Sequence, residues 1–286
     1  MSNISASQVK ELRERTGLGL MDCKKALQEA NGDLDLAVEE LRKSSGLKAS
    51  KKSSRSAADG LIGIKKVEGK SFMVEINCET DFVARDDSFN SFMQEVLDIA
   101  SSNSDKSLED LLDQGIEEKR EKLVQKLGEN IVVRRLTTSE DGADASGVYL
   151  HSNNKIGTIV SLKGGTDEVA KDIAMHTAAT DPMAISPSDI SQEVIEKEKE
   201  IYKAQSEESG KPADIIEKMV EGKISKFLSE VSLTEQNFVK DPDQKISNLL
   251  KDNDASIMSF TRFEVGEGIE VEKLDFASEV MSQIEG

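Results

Sequence analysis

The sequence predicts an α+β fold: an N-terminal three-helix domain, a core of two related α+β units, a projecting antiparallel helical hairpin and a C-terminal helix. Three observations predict it. A strand–turn–strand–helix pattern occurs twice, from Gly60 into Thr80 and from Gly147 into Thr166. The first 45 residues carry three apolar stripes at helical spacing. Two charge-rich helical segments, 191–205 and 212–226, are separated only by Ser209-Gly210-Lys211, with Gly placed to end one helix and Pro212 to start the next.

The N-terminal domain (1–45) opens with Ser5 and Gln8, a capping-box pair, ahead of Val9 and Leu12; Thr16-Gly17 ends this first helix. Cys23, Ala26, Leu27 and Ala30 follow at helical spacing up to the Asn31-Gly32 turn, and Asp33 caps a third stripe of Leu34, Ala37, Val38 and Leu41. A domain of this kind resembles ubiquitin-associated modules, but fold analogy alone assigns no function. Residues 46–57, rich in Ser, Ala and Lys, read as a solvated linker.

The first core unit (58–140) has strand-like stretches at 61–66 and 72–78 around Val67-Glu68-Gly69-Lys70. Phe89, Phe92, Met93, Val96, Leu97 and Ala100 then repeat at helical spacing as core residues. A helix at 117–127 and a strand at 131–136 close the unit. The second unit (141–186 and 227–265) has strands at 148–151 and 156–162, a helix at 169–180, and returning strands at 227–233 and 257–265 with Ile246, Leu249 and Leu250 helical between them. The hairpin (187–226) has a narrow seam of Val194, Ile201, Ile215, Met219 and Ile224. The C-terminal module (266–286) starts at Gly266 and Gly268, and Phe276, Ala277, Val280, Met281 and Ile284 give its helix an apolar face, which packs on its own protein or docks in a partner groove.

With 286 residues, 37% hydrophobic and 32% charged, the chain can bury more than one core. Its formal charge of -18 opposes binding to a phosphate backbone, which draws its affinity from Lys and Arg. Such an acidic surface suits solubility and a basic protein patch. Two lone cysteines, Cys23 and Cys78, indicate neither a disulfide framework nor a thiolate metal site, and reduced cytoplasm fits them best. No apolar run reaches membrane-spanning length, and the N-terminus lacks the order of a signal peptide.

Signatures of catalysis are weak. Gly69-Lys70-Ser71 has the tail of a phosphate loop, but Ile64 stands where its first glycine is required. His151 and His176 lack neighbours at metal-ligand spacing and read as structural. Glu79, Asp81 and Asp86 suit a helix start, which attracts carboxylates without any chemistry.

The most informative stretch is Glu79-Thr80-Asp81-Phe82-Val83-Ala84-Arg85-Asp86. Capping accounts for Thr80 and Asp81, but not for Phe82. Thr166-Asp167-Glu168-Val169-Ala170-Lys171-Asp172 repeats it with only Phe82 and Arg85 replaced. If the copies are structurally equivalent, a slot that takes Glu168 is at the surface, and Phe82 is an exposed aromatic offered to another molecule. The alternative is an ordinary core aromatic in a unit that differs locally.

Together with Val9-Lys10-Glu11-Leu12-Arg13-Glu14-Arg15-Thr16-Gly17, Met21-Asp22-Cys23-Lys24-Lys25-Ala26-Leu27 and Arg262-Phe263-Glu264-Val265-Gly266-Glu267-Gly268, this turn makes the whole chain resemble the bacterial translation elongation factor Ts family. The resemblance implies a guanine-nucleotide exchange factor, not an enzyme, that binds elongation factor Tu–GDP, disturbs its magnesium site and promotes GDP release. It implies no cofactor, metal or catalytic residue of its own, and neither nucleic acid nor membrane as partner. Thr80, Asp81, Phe82 and Val83 would intrude beside the partner's Mg²⁺, and Arg13, Leu20 and Met21 would face its GTP-binding domain. Leu20 stands where relatives often have Met. A homodimer or a 2:2 complex with the partner stays open, as do two other readings: a non-catalytic adaptor, and a small hydrolase using the acidic turn.

Overall fold

The computed structural model describes residues 4–208 and 211–270. It divides into two compact units. One is drawn from the chain up to Ile62, from Val74–Leu136 and from the segment beginning at Glu264; the other from Gly63–Met73 and Thr137–Phe263.

The first unit begins with α1 (Ala6–Thr16), α2 (Leu20–Glu29) and α3 (Leu34–Lys52). Ser5 and Gln8 form the capping box, and Gly17 ends α1 in the left-handed region at φ 68°. Leu12, Cys23, Leu27 and Ala37 are fully enclosed between the three helices, with Leu34 and Val38 half-buried against them. Helix α3 runs to Lys52, through the first half of the stretch expected as a linker. Its apolar stripe continues in small residues, with Ala37, Leu41, Ser45 and Ala49 all buried at four-residue spacing. Small side chains let α3 pack on α7 (Glu117–Leu127), where Arg42 meets Glu118 at 2.7 Å.

Strands β1 (Asp59–Val67), β2 (Lys70–Cys78) and β3 (Val132–Thr138) form one sheet in that order. Glu68 and Gly69 take positive φ in the two-residue turn between β1 and β2, so the Gly-Lys-Ser string is part of a hairpin turn. After β2 come the single turn α4 (Asp81–Ala84) and α5 (Asp87–Ser102), which buries Phe89, Phe92, Met93, Val96, Leu97 and Ala100 as expected. A four-residue helix, α6 (Leu108–Leu111), leads through a kink at Gly115 into α7.

In the second unit β4 (Ala145–Leu150) pairs antiparallel with β5 (Ile156–Lys163), from Ala145 opposite Leu162 to Leu150 opposite Gly157, and β8 (Ser256–Glu264) lies on the other side of β5. Helix α8 (Asp167–Thr180) covers the sheet, burying Ala170, Ile173 and Ala174 with Val160, Leu162, Leu233 and Phe238. The hairpin is α9 (Gln192–Glu207) and α10 (Ala213–Val231); Ser209 and Gly210 lie outside the described residues. Its seam differs from expectation, because Ile201 and Ile215 are turned outward while Ile216 and Val220 are half-buried.

The strand expected at 227–233 is helical up to Val231. Ile224, Leu228 and Val231 are spaced by four and three residues, so this run is the last stretch of a helical stripe. A short 3₁₀ turn (Leu233–Glu235), β6 (Asn237–Phe238), β7 (Asp241–Lys245) and α11 (Ile246–Asp252) lead to β8. The apolar face expected at 276–284 lies outside the described residues.

Candidate functional site

The two threonine turns share one backbone. Thr80 has φ -132° and ψ 157°, Thr166 φ -133° and ψ 160°, and each hydroxyl accepts from the N–H of the valine three residues on. The slots that follow also agree, since Phe82 is 80% exposed and Glu168 is exposed as well. The core-aromatic alternative therefore fails: Phe82 projects from a tight turn with its ring in solvent.

The turns differ in what their aspartates do. Asp167 accepts from the Ser146 N–H at 2.9 Å and meets Lys66 at 2.6 Å, so it ties β1, β4 and α8 together. Lys66 and the Ser146 N–H hold its carboxyl below its ordinary value against the opposing effect of burial. Among the described residues the Asp81 carboxylate meets only its own helix neighbour Arg85, at 2.8 Å, in a pair open to solvent. The first turn thus presents a carboxylate and a ring outward, where the second uses its carboxylate for internal bracing.

Behind Phe82 the turn is held from the short segment between α7 and β3. Glu129 Oε2 accepts from the N–H groups of Glu79 (3.1 Å) and Thr80 (3.0 Å), and its Oε1 accepts from the Thr80 hydroxyl at 2.6 Å. Glu79 returns the contact, accepting from the Asn130 N–H at 2.6 Å. Cys78 is buried, and its thiol donates to the Thr80 carbonyl at 3.1 Å. Asp86 caps α5 by accepting from the Ser88 N–H at 2.7 Å. Burial pushes the Asp86 carboxyl up, but hydrogen bonds from Ser88 and the charge of Lys126 leave it below its ordinary value. Glu79, Asp81 and Asp86 each have a structural or local partner, as helix-start carboxylates do.

Thr80 and Asp81 are half-buried, and Val83 is turned inward, where it anchors the turn. Arg13 is exposed near the end of α1; Leu20 (52% exposed) and Met21 (76%) stand at the start of α2. They stand on separate elements of the unit that also holds the Thr80 turn. Sequence reasoning missed Glu129 and Asn130. Their position after the helix-ending Gly128 marks a boundary, but nothing local points to a turn 50 residues earlier.

His176 is buried between Gln236, which meets its Nε2 at 2.9 Å, and the Val239 N–H, which donates to its Nδ1 at 3.3 Å. Among the described residues no group of three or more His, Cys, Asp or Glu could hold a metal ion, and no helix is long and apolar enough to cross a membrane.

A family model described as Elongation factor TS matches residues 79–267. Over its whole length the chain is 55% identical to all of the protein named Elongation factor Ts from Hahella chejuensis. It is 54% identical to that of Marinobacter nauticus, over 98% of this chain and 97% of the relative, and 52% identical to that of Francisella tularensis subsp. novicida over the full length of both.

Proposed function

Because the chain belongs to the elongation factor Ts family, and so to the factors of translation elongation, we propose that it is a guanine-nucleotide exchange factor for elongation factor Tu. It binds the GDP form of that GTPase, disturbs its magnesium site and promotes GDP release, so that GTP can bind. The observation that carries this reading is the ring of Phe82, 80% exposed on a turn whose backbone is pinned from behind.

An exchange factor must bind the nucleotide-free GTPase more tightly than the GDP form, and linkage makes the effect reciprocal: GDP expels the factor as the factor expels GDP. Phe82 inserts among packed side chains beside the partner's Mg²⁺, and Asp81 disturbs the polar groups that hold the ion. Its charge secures the phosphates, so losing it loosens GDP.

Magnitude limits what the ring can do alone. Accelerating release about 10⁴-fold requires a difference near 5.5 kcal/mol, while burying one aromatic side chain contributes about 1.5–3 kcal/mol. The remainder comes from surfaces that hold the partner, including Arg13, Leu20 and Met21 on α1 and α2.

Release of fluorescent GDP from elongation factor Tu tests this. The wild-type chain accelerates release, and Phe82→Ala and Asp81→Ala each reduce the acceleration; unchanged rates in both variants would remove the mechanism. The adaptor reading instead gives a complex without faster release.

A further inference from the structure

We infer that Glu129 is a positioning residue for nucleotide exchange, aiming the side chains of Asp81 and Phe82 through the backbone of the turn that carries them. The inference rests on the exchange reading above and adds to it a residue far away in sequence.

Helix α4 has four residues, well short of the roughly 12–15 at which a helix begins to hold itself in water. The Phe82 ring, 80% exposed, has too little packing within the chain to set its direction. Direction is therefore left to the backbone of 79–83, and Glu129 pins that backbone by two consecutive N–H groups and one hydroxyl. The hydroxyl matters twice. With its proton given to Glu129 Oε1, the Thr80 oxygen turns a lone pair toward the Val83 N–H at 3.5 Å, so the carboxylate also orients the cap of α4. Hydrogen bonds to a carboxylate are about twice as strong as neutral ones.

The second copy is built otherwise. Thr166 caps α8, which has 14 residues and packs along its length on the sheet, and the carboxylate of Asp144 accepts from Gly164, two residues ahead of the cap. A self-supporting helix with no exposed ring to aim does not need the clasp that α4 has.

Fluorescent GDP release from the GTPase, measured across factor concentrations, separates the maximal rate from the half-saturating concentration. Glu129→Ala should lower the maximal rate about 10–100-fold, as misplacing a positioned group does, and leave half-saturation within about threefold. Glu129→Gln keeps an acceptor oxygen and should fall between, and it decides the matter if Glu129→Ala does not fold by circular dichroism. In a background carrying Asp81→Ala and Phe82→Ala, removing the Glu129 carboxylate should change the residual rate less than about twofold, because nothing is left to aim. A wild-type chain that accelerates nothing overturns the exchange reading itself. Acceleration that survives Glu129→Ala, or an equal fold-loss with and without the Asp81 and Phe82 side chains, overturns the positioning role alone.

Discussion

The carboxylate of Glu75 accepts the backbone N–H of Gly266 at 2.9 Å across 191 residues of sequence. Glu75 lies in β2 with none of its side chain exposed. The same oxygen accepts from Arg134 at 3.0 Å and from Asn77, while the other pairs with Arg135, which also reaches the Glu264 carbonyl. Burial raises the Glu75 carboxyl, but the Gly266 N–H, Asn77 and Arg135 together outweigh it and leave it below the ordinary value. Glu75→Ala should cost about 3 kcal/mol in urea denaturation, the low end for breaking a buried pair, because both arginines keep partial access to solvent. The N–H of Gly266 should also lose its protection from hydrogen exchange. Since a lowered carboxyl stabilises above its unfolded value of about 4.3 and loses that stability as pH falls through the folded value, Glu75→Gln should flatten the acid limb of the wild-type curve.

His176 adds a second loss of stability on acidification, setting in at a higher pH than that of Glu75. Burial lowers its pKa, and the hydrogen bond with Gln236 only partly offsets this. The Val239 N–H donates to Nδ1, so the ring is neutral with its proton on Nε2, and a second proton would remove the acceptor that Val239 needs. Asp172 with Lys240 and Glu235 with Lys245 are the charged pairs on the neighbouring segments. The unfolded chain takes up the proton near pH 6.5 and the folded one only lower, so stability should fall below about pH 6.5, by at most about 1.4 kcal/mol per unit. Thermal melts of wild type and His176→Gln between pH 8 and 5 should diverge at the wild type's acid end.

Two glycines should respond to alanine in opposite directions. A Cβ on Gly147 would sit 2.0 Å from the Ala170 carbonyl carbon, so β4 and α8 approach by backbone and cannot admit a methyl group. Gly147→Ala should destabilise by about 3 kcal/mol, the upper range of overpacking. Gly222, inside α10, has nothing within 4 Å of such a Cβ, and Gly222→Ala should stabilise by about 0.5–1 kcal/mol. Chemical denaturation of the two variants reads both signs.

What was legible in the chain was local. Ser5 with Gln8, Thr80 and Thr166, and the α5 stripe from Phe89 to Ala100 depend on spacings of three or four residues, and the structure has them as the spacing requires. Ala49 misled, because a small residue in a Lys-rich segment looks like part of a tether until another helix lies on it. Phe227 and Leu228 misled because adjacent apolar residues fit a strand as well as a helix, and only continuity with Ile224 decides. Glu129 was invisible for a third reason. A carboxylate that binds N–H groups 49 and 50 residues away leaves no local period, since backbone donors are present at almost every residue.

The same distinction separates the two turn aspartates, and it predicts a double dissociation. Asp167 braces Ser146 and Lys66, so Asp167→Ala should cost about 1 kcal/mol of stability, the worth of one such hydrogen bond, and leave the rate of GDP release near wild type. The Asp81 carboxylate pairs with the exposed Arg85, so Asp81→Ala should change stability by less than about 0.5 kcal/mol while slowing release. Melting curves and exchange rates measured on the same two preparations decide it. Loss of stability in Asp81→Ala, or loss of exchange in Asp167→Ala, would show that the copies divide their work differently from what their hydrogen bonds indicate.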